Sequence, residues 1–563
     1  MTHDPLIQFR SAAERVMAQA LGKLGVESGQ IAFDDPPEGM GDLAFPCFAL
    51  SKSLRRGPAQ IAQELAAAGK TPEIASVKAA GPYVNFTFDD KLLTKATLEA
   101  VLRNGAAYGS HPRSGKRVLL EHTSANPTDR LHVGRGRNPI IGDTLARALR
   151  MSGCDVDTQY YLDDMGRQAA MRLMAERHGK TYQWAAGLVE AERQDPEAVE
   201  RRAELDAIVK GAERGDTALI AELQAICKKV MEENISPVLR LISAEPDTYV
   251  SESKFVVDGS VGRAVDGLRA SGKCGEDDGA LFIDLAPFGV SGRTSRFFLT
   301  RGDGTSLYPA RDVAYHVWKN GQCDRAINIL GEDHKTESRG VEVALRALGQ
   351  ENVPDVLFYS FVSLPEGKMS ARKGRVVYLD DLVEEAIDLA KEEVAKRRPE
   401  LGEERRADIA KAVGVAAVRY NIVRTQPEKQ MVFKWEEALN FEGNSAPFIQ
   451  YAHARACSIL AKAGNIPSNY NPSLLAHEME LRLVRRLAAF PSLIAKCARD
   501  MTPHLLASYA FLLASDFNQF YRDCPVLVAE GDARGARLAL VQASRLALRS
   551  ALNVLAIEPL EEM

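Results

Sequence analysis

The stretch from Arg117 to Gly153 constrains the fold more than any other part of the sequence. Arg117 to Leu120 is a short apolar-rich run, typical of a buried strand, and Asn126-Pro127 breaks it. From about Pro139 the apolar residues recur at helical spacing, and Gly153 is placed to end that helix. DVDTQYYL then predicts a second strand. The order strand, loop, helix, strand predicts an α/β fold that begins a doubly wound parallel sheet.

The loop inside this unit, LHVGRGR, lies where such sheets bind phosphates, between a strand end and a helix N-terminus. His132 can donate a hydrogen bond to a phosphate oxygen, and Gly134 lets a flat group approach the backbone. Arg135 and Arg137 add positive charge for an anion. Taken alone, a His-x-Gly pattern is more often a basic turn on a solvated helix.

A second cationic loop, GKMSARKG, follows much later in the chain. It places Lys368, Arg372 and Lys373 between two glycines. Such a loop can follow the charge that develops on a leaving pyrophosphate. On its own it would be an ordinary basic surface loop. The pattern of a Walker loop does not occur in the sequence, which argues against P-loop chemistry.

The 563 residues are too many for one core and predict several domains. Residues 1–112 have the pattern of a small α/β module, and residues 113–385 that of the doubly wound domain. Within the second region, about 168–300 is predicted to be an insertion with a densely charged helical part. Residues 386–563 carry apolar residues at helical spacing and predict an all-α bundle.

Charge and cysteine usage limit the class of protein. The net charge of −5 predicts no bulk attraction to nucleic acid, so any RNA contact must come from local basic patches. The eight cysteines form no CxxC pair, which argues against structural zinc and a disulfide framework and predicts a reducing cytoplasm. We expect no membrane span and no secretory signal, since the sequence has neither apolar segment.

Two short motifs together carry a resemblance. H-V-G-R after the first strand and K-M-S-A-R near the end of the α/β region resemble the HIGH and KMSKS signatures of class I aminoacyl-tRNA synthetases. A longer ordered set resembles the arginyl-tRNA synthetase family and covers essentially the whole chain. This set is GDLAFPCFALSK, EHTSANPTDRLHVG, GDTLARALRMSGCDV, YYLDDMGRQ, SLYPARDVAYH, KMSARKG, NFEGNSAPFIQYAHAR and LAIEPLEEM.

The resemblance implies a reaction and an architecture. Such enzymes activate L-arginine with ATP and Mg²⁺ to an arginyl-adenylate, and then transfer the aminoacyl group to the 2′-hydroxyl of the terminal adenosine of tRNA(Arg). It implies a Rossmann-like catalytic domain with a helical insertion. The N-terminal module would meet the tRNA elbow, and the C-terminal bundle would bind the anticodon. A monomer is the form that the resemblance implies.

The resemblance also assigns site residues. His132, Arg135, Lys368 and Arg372 are the expected catalytic residues, and ATP would be bound by His132, Gly134, Arg135, Lys368 and Met369. The arginine-binding set comprises Glu121, Ser124, Asn126, Tyr308, Asp312, Asp333 and His334.

Tyr308 and Asp312 are the positions where chemistry and resemblance can be compared. They are four residues apart and share one face of a predicted helix. A guanidinium needs a planar carboxylate acceptor, which Asp312 would supply, with Tyr308 as hydroxyl acceptor and wall. Without the resemblance, an ordinary helix N-terminal acid beside a packed tyrosine explains the pair equally well.

Contacts with tRNA are expected at both ends of the chain. The candidates are Lys52, Arg55, Arg56, Tyr451, Arg455, Tyr521 and Met563. His453, Phe517 and Asn518 belong to the same aromatic and polar runs. Unstacked bases stack on such rings. The competing interpretation is that the aromatic residues are core and that the basic ones form a solvated face.

The sequence departs from the familiar family pattern at four places. Arg135 stands at the last HIGH position, Asp129-Arg130 replaces Gly-Pro, Asp163 replaces Asn, and Ala371 replaces the second KMSKS lysine. These changes leave open an altered paralogue that binds tRNA or uses activated arginine elsewhere. Other class I synthetases are alternatives too, although a cysteine enzyme would want zinc ligands and a glutamate enzyme a cationic pocket in place of Asp312.

Overall fold

The computed structural model describes residues 4–26, 31–37, 39–67, 69–190, 196–363, 377–464 and 469–563. Its N-terminal part is a three-stranded antiparallel sheet, in the order β1-β3-β2, packed with helices. The elements are α1 (Ile7–Lys23), β1 (Leu43–Pro46), α2 (Leu50–Leu54), α3 (Pro58–Ala66), β2 (Ile74–Ala80), β3 (Tyr83–Phe88) and α4 (Asp90–Asn104). The buried face of α1 repeats at helical spacing through Phe9, Ala13, Met17 and Ala20, which explains its packing on the sheet.

The central region begins with the strand, helix and strand predicted from the sequence. Its elements up to the next sheet strand are β4 (Arg117–Glu121), α5 (Arg137–Met151), β5 (Asp155–Leu162), α6 (Gly166–Arg177), α7 (Tyr182–Glu190), α8 (Pro196–Glu213), α9 (Thr217–Val230), α10 (Ser236–Leu241) and β6 (Thr248–Ser251). Gly153 follows α5 with φ +93°, where a Cβ would meet the Pro112 carbonyl oxygen. This glycine therefore ends the helix, as predicted.

The rest of the central region contains a small second sheet, β7-β8-β9, and then completes the first. Its elements are α11 (Ser253–Val257), α12 (Ser260–Ala270), β7 (Cys274–Asp277), β8 (Ala280–Asp284), β9 (Arg296–Phe298), α13 (Tyr308–Asn320), β10 (Arg325–Gly331), α14 (Lys335–Ala347), β11 (Asp355–Tyr359) and β12 (Val362–Ser363). The segment 168–300 contains β6, a strand of the main sheet, so the inserted material lies on both sides of that strand.

The main sheet is parallel throughout, in the order β11-β10-β4-β5-β6. Chain order runs outward in both directions from the β4–β10 pair, which is the strand order of the doubly wound nucleotide-binding fold. The crevice outside the carboxyl ends of β4 and β10 is therefore the place where this fold binds ligands.

The C-terminal region is a helical bundle with one short strand, β13, that pairs with β12. The elements are α15 (Leu379–Arg397), α16 (Glu403–Val423), β13 (Met431–Val432), α17 (Trp435–Ala438), α18 (Ala446–Ala463), α19 (Glu478–Ala488), α20 (Phe490–Asp500), α21 (His504–Asp523) and α22 (Gly531–Val554). None of the helices in the described ranges combines the length and apolarity that a membrane crossing requires.

The N-terminal module is docked on this bundle. The Tyr108 hydroxyl donates to the Leu487 carbonyl at 2.7 Å, and Arg485 in α19 pairs with Asp42 at 2.7 Å and Asp90 at 2.6 Å. A continuous buried apolar cluster runs from α1 through the bundle. The two ends of the chain thus meet around the same core, beside the main parallel sheet.

Candidate active site

The segment that follows β4 is held across the β4–β10 junction. The Asn138 side chain accepts from the Thr123 backbone at 2.6 Å and donates to the Ile329 carbonyl at 2.9 Å. Thr123 and Ser124 have φ of +70° and +37°, conformations that cost energy for residues with side chains. The surrounding hydrogen bonds hold this strained turn at the carboxyl end of the sheet.

His132 opens the turn before α5. Its Nδ1 accepts from the Gly134 backbone at 2.9 Å, so a neutral imidazole carries its proton on Nε2. Burial, with help from the charge of Arg135, lowers the pKa of His132. A Cβ on Gly134 would lie 3.0 Å from His132 Nδ1, so this glycine keeps the imidazole in place. The turn therefore carries one imidazole N–H donor, on Nε2 of His132.

The two arginines of the turn behave differently. Arg135 is exposed, and its charge acts on His334 at the end of β10. Arg137 is fully buried and donates to the carbonyls of Ser360 at 2.7 Å and Lys429 at 2.8 Å. Its other terminal nitrogen donates to Thr425 and Gln426, each at 3.1 Å. The prediction that Arg137 adds charge for an anion is therefore wrong, because both terminal nitrogens of its buried guanidinium donate to backbone carbonyls.

The side chains of Asp129 and Arg130 both bond to residues of neighbouring helices. Arg130 pairs with Asp380 at 2.6 Å and Asp381 at 2.5 Å, and its guanidinium lies 4.4 Å from the centre of the Tyr378 ring. The Asp129 carboxylate accepts from Gln183 at 2.7 Å. The pair ties the signature turn to α15 and α7.

The second cationic loop, with Lys368, Met369, Ala371, Arg372 and Lys373, lies outside the described residues. The residues on either side of it are described. Val133 donates to the Val377 carbonyl at 3.0 Å, and His132 forms a β-bridge with Tyr378. The Val362 carbonyl lies 3.8 Å from the Cβ position of Gly134. The described residues on both sides of this segment therefore lie next to the His132 turn.

Glu121 and Ser124 meet at the end of β4. The Ser124 hydroxyl donates to Glu121 at 3.0 Å and accepts from the Tyr161 backbone at 3.1 Å. Lys319, fully buried, donates to Glu121 at 2.9 Å. Burial alone would raise the pKa of Glu121, but the Lys319 charge and these hydrogen bonds hold it below its ordinary value. Glu121 is therefore an ionised carboxylate that already has a cationic partner.

Asn126 lies further along the same segment. Its side chain donates to Gln168 at the start of α6 at 2.7 Å. This contact turns the Asn126 amide toward α6. It places Asn126 at the same strand-end crevice as Ser124.

Tyr308 and Asp312 lie in the first turns of α13, as predicted, and next to each other. Their hydroxyl and carboxylate do not bond. The Tyr308 hydroxyl donates instead to Glu337 in α14, and Asp312 contacts His316 at 3.0 Å. Tyr308 is 46% exposed, so the first turn of α13 opens to solvent. Burial, with the Glu337 bond, raises the pKa of Tyr308, which stays a neutral donor.

Asp333 and His334 follow β10 and join the same cluster. His334 Nδ1 lies 2.5 Å from Glu337, and Nε2 lies 3.8 Å from Asp333. The Glu337 bond raises the pKa of His334 against the effect of burial. Burial would raise the pKa of Glu337, but the bonds from His334 and Tyr308 hold it below its ordinary value. Glu337 thus links two predicted arginine-binding residues, although no short-range pattern in the sequence singles it out.

Asp163 is packed against a buried ion cluster. Arg311 lies 2.9 Å from Glu252 and 3.7 Å from Glu213. Burial, with the negative charge of Glu252, raises the pKa of Asp163 well above its ordinary value. A protonated Asp163 presents a neutral side chain, as the asparagine of the familiar pattern would.

The candidate RNA residues of the bundle separate into two groups. Arg455 lies 4.7 Å from the centre of the Tyr451 ring and 5.9 Å from that of Tyr521, at a cavity of about 740 Å³. Asn518 lines the same cavity and accepts from Arg455 at 2.8 Å. His453 and Phe517 are fully buried, so the suggestion that they contact RNA is wrong. Helical spacing alone could not separate the cavity side from the core side.

The remaining RNA candidates lie on surfaces. Met563 packs against the same small buried cluster as Phe441, and Phe441 also lines the cavity. Lys52, Arg55 and Arg56 are exposed around the end of α2, and Arg56 pairs with Glu64 at 2.6 Å. These three cations form a local basic patch on a chain whose net charge is −5.

Three family models match the chain in order. Residues 11–88 match the arginyl tRNA synthetase N terminal domain, 97–435 the catalytic domain of tRNA synthetases class I (R), and 449–563 the DALR anticodon binding domain. The arginine–tRNA ligase of Methanocella arvoryzae is 45% identical, and that of Methanosarcina mazei 42%, each alignment covering 99% of this chain and all of the relative.

Solved structures agree with these matches. Thermus thermophilus arginyl-tRNA synthetase superimposes with a TM-score of 0.84 at 30% identity, over 98% of this chain and all of that one. The arginyl-tRNA synthetase of Plasmodium falciparum shares the fold, with a TM-score of 0.81 at 18% identity over 99% of both chains.

Proposed function

The chain belongs to the class I arginyl-tRNA synthetase family, and from that premise we propose how its own residues carry out the reaction. It attaches arginine to tRNA with the consumption of ATP. In the proposed course, the arginine carboxylate attacks the α-phosphate of MgATP and pyrophosphate leaves. The 2′-hydroxyl of the terminal adenosine of tRNA(Arg) then attacks the arginyl carbonyl of the adenylate. The new ester forms as the bond to the phosphate breaks, with release of AMP and of the hydroxyl proton.

We assign the phosphates to the His132 turn. His132 donates from Nε2, Arg135 offers an exposed guanidinium, and Gly134 leaves room for the adenosine. Lys368 and Arg372 would follow the charge of the leaving pyrophosphate, and Met369 would pack beside the adenine. The placement of both flanks of their loop beside His132 supports this assignment.

We assign the arginine side chain to the first turn of α13. Four side chains form a rim at this turn, with three carboxyl groups and one phenol: Asp312, Asp333, Glu337 and Tyr308. His334 is the titratable base that lies beside the carboxyl groups of Asp333 and Glu337. This acid-rich, partly exposed rim is the observation that carries the assignment, because a guanidinium is bound by carboxylates. Ser124 and Asn126 would hold the α-amino and carboxylate groups, with Glu121 lining the wall between them.

We propose that tRNA contacts both ends of the chain. Tyr451, Arg455, Tyr521 and Met563 would receive anticodon bases at the 740 Å³ cavity. Lys52, Arg55 and Arg56 would contact phosphates near the elbow. We propose the domain limits 1–112, 113–385 and 386–563, of which the limit at 385 falls inside the helix α15. We also propose a cytoplasmic monomer.

Replacing Asp312 tests the assignment of the pocket. We expect Asp312→Ala to abolish arginine-dependent charging of tRNA while tRNA binding stays within about twofold, because the lost carboxylate is the ion partner of the substrate. The measurement is attachment of labelled arginine to total tRNA, with and without ATP and with lysine and canavanine as competitors. Asp277→Ala, at an exposed acid of β7 paired with Arg296, is the matched control.

Arginine charging that survives in Asp312→Ala would remove Asp312 from the pocket. Absence of charging in the unchanged protein, with tRNA still bound, would support the altered paralogue. The full-length relatives at 40–45% identity do not favour that alternative.

A further inference from the structure

A chain of buried polar side chains connects Glu121 at the end of β4 with Asp312 in α13, two carboxylates that we assign to the arginine pocket. His316 and Lys319 lie in α13, one and two turns beyond Asp312, and Asn328 lies in the neighbouring strand β10. All three are less than 5% exposed. Buried polar groups are costly unless each is bonded, so their partners are informative.

The direction of each hydrogen bond follows from Lys319. An ammonium group only donates, so the atom of Asn328 that lies 2.7 Å from Lys319 Nζ is the carbonyl oxygen. The same ammonium donates to Glu121 at 2.9 Å. The amide nitrogen of Asn328 must therefore face the other way, toward His316 Nε2 at 2.7 Å.

The orientation of Asn328 then fixes the proton on His316. An amide N–H donates, so His316 Nε2 accepts, and the neutral ring carries its proton on Nδ1. Nδ1 points at Asp312, 2.8 Å from its backbone carbonyl and 3.0 Å from its carboxylate. The imidazole is thus a neutral donor, which holds the Asp312 carboxylate without cancelling its charge.

We propose that Lys319, Asn328 and His316 form a positioning relay that holds Asp312 for the guanidinium end of arginine and Glu121 for the α-amino end. The inference rests on the proposed arginine pocket. None of the three residues touches the substrate. Their effect is to keep one carboxylate paired with Lys319 and the other ionised and oriented, so that arginine meets a fixed acceptor.

Asn328→Asp tests the relay with almost no change in side-chain size. The new carboxylate still offers an acceptor to Lys319. Toward His316 Nε2, however, it presents an acceptor where the amide presented an N–H donor. The imidazole must then move its proton to Nε2 or become a cation beside Asp312. Either response weakens the acceptor for arginine. We expect the KM for arginine to rise about tenfold to a hundredfold, the range for a lost hydrogen bond to a charged group, with the KM for ATP changed less than about twofold.

Two variants separate positioning from stability. His316→Asn keeps an amide donor at the Nδ1 position and should stay within about threefold of the unchanged protein in the KM for arginine, whereas His316→Leu should match Asn328→Asp. Val313→Ala opens a cavity in the same helix without touching the relay, so it should lower stability and leave the KM for arginine unchanged.

The tautomer can be measured without any activity. Histidine-labelled ¹⁵N spectra of the unchanged protein should show His316, identified by the signal that disappears in His316→Asn, protonated on Nδ1. An Nε2-protonated or doubly protonated ring would overturn the relay, and so would an unchanged KM for arginine in folded Asn328→Asp. If the unchanged protein fails to charge arginine at all, the proposed function fails, and the tautomer still decides the relay.

Discussion

At the scale of single residues, the site depends on protons whose positions are set by neighbours. His132 and His316 both lie near the crevice, yet they carry the proton on different nitrogens. A backbone N–H at Gly134 makes His132 Nδ1 an acceptor, and the amide of Asn328 makes His316 Nε2 one. The first ring therefore offers Nε2–H toward the proposed phosphate site, and the second offers Nδ1–H to Asp312.

The pKa of His334 is shifted in the opposite direction to that of His132. Burial lowers the pKa of His132, whereas the hydrogen bond with Glu337 raises the pKa of His334. A histidine whose pKa is higher in the folded state adds stability that is complete below its unfolded value of about 6.5 and is lost as the pH rises through the folded value. Glu337→Gln keeps an acceptor for Tyr308 but loses the charge. Glu337→Gln should therefore lower the free energy of unfolding by more at about pH 5.5 than at about pH 9.

Urea unfolding of both proteins at the two pH values measures this difference. Asp277→Asn is the control, since its partner Arg296 keeps its charge throughout and the effect should not change with pH. A loss that is equal at both pH values, or larger at the alkaline one, would contradict the assigned bond between His334 and Glu337.

At the scale of elements, one buried arginine connects three segments that lie far apart along the chain. Arg137 lies in the first turn of α5 and donates to the end of β11 and to the turn at 425–429. Burial lowers the pKa of its guanidinium to about 10, so it stays charged at neutral pH. The Arg137 side chain therefore holds the start of α5 to the residue that follows β11 and to the turn at 425–429.

Removing this side chain should cost both stability and activity. Arg137→Ala leaves four carbonyls without their donor, and we expect unfolding to become easier by about 3 kcal/mol or more. The rate of adenylate formation should fall while the KM for tRNA stays within about twofold. Arg137→Lys should recover part of the stability, because an ammonium reaches fewer carbonyls than a guanidinium fork.

Urea unfolding and arginine-dependent pyrophosphate exchange, run with tRNA present, check both effects. Arg135→Ala is the matched control, because it removes an exposed arginine of the same turn. It should leave stability nearly unchanged. A fully stable Arg137→Ala would show that the carbonyls find other partners.

At the scale of the whole molecule, a net acidic protein binds a polyanion through local surfaces. The patch of Lys52, Arg55 and Arg56 lies on a module that is docked on the bundle through Arg485. The proposed anticodon cavity is part of the same bundle. A shared core fixes the two proposed tRNA surfaces relative to each other.

Salt dependence measures how many of the three cations meet phosphates. Replacing all three by alanine should weaken tRNA binding and reduce the slope of log K against log salt by about 2, at roughly 0.7 to 0.9 for each phosphate that is no longer neutralised. Glu64→Gln is the control, because it releases Arg56 from its ion pair and should not weaken binding. An unchanged slope in the triple variant would place these cations on a solvated face.

By itself the sequence determined the local order of elements and the residue types of the site. The strand, turn, helix and strand from Arg117 to Leu162 follow from short-range periodicity and from Gly153, and they formed as predicted. The cationic turn at His132 was identified from its place between a strand and a helix, whereas the family resemblance singled out Tyr308 and Asp312 on α13. Each such feature depends on spacing within a few residues, which a sequence displays directly.

Only the tertiary structure decided which polar side chains bond to other residues in the interior and which face the proposed ligand site. Arg137 looked like a phosphate ligand, yet its acceptors lie 223 and 292 residues away along the chain. Glu337 joins Tyr308 across 29 residues, and Lys319 reaches Glu121 across 198. Because these groups are buried, each of them needs a hydrogen-bond partner. Leaving a buried polar group unpaired costs more stability than a hydrogen bond to it contributes.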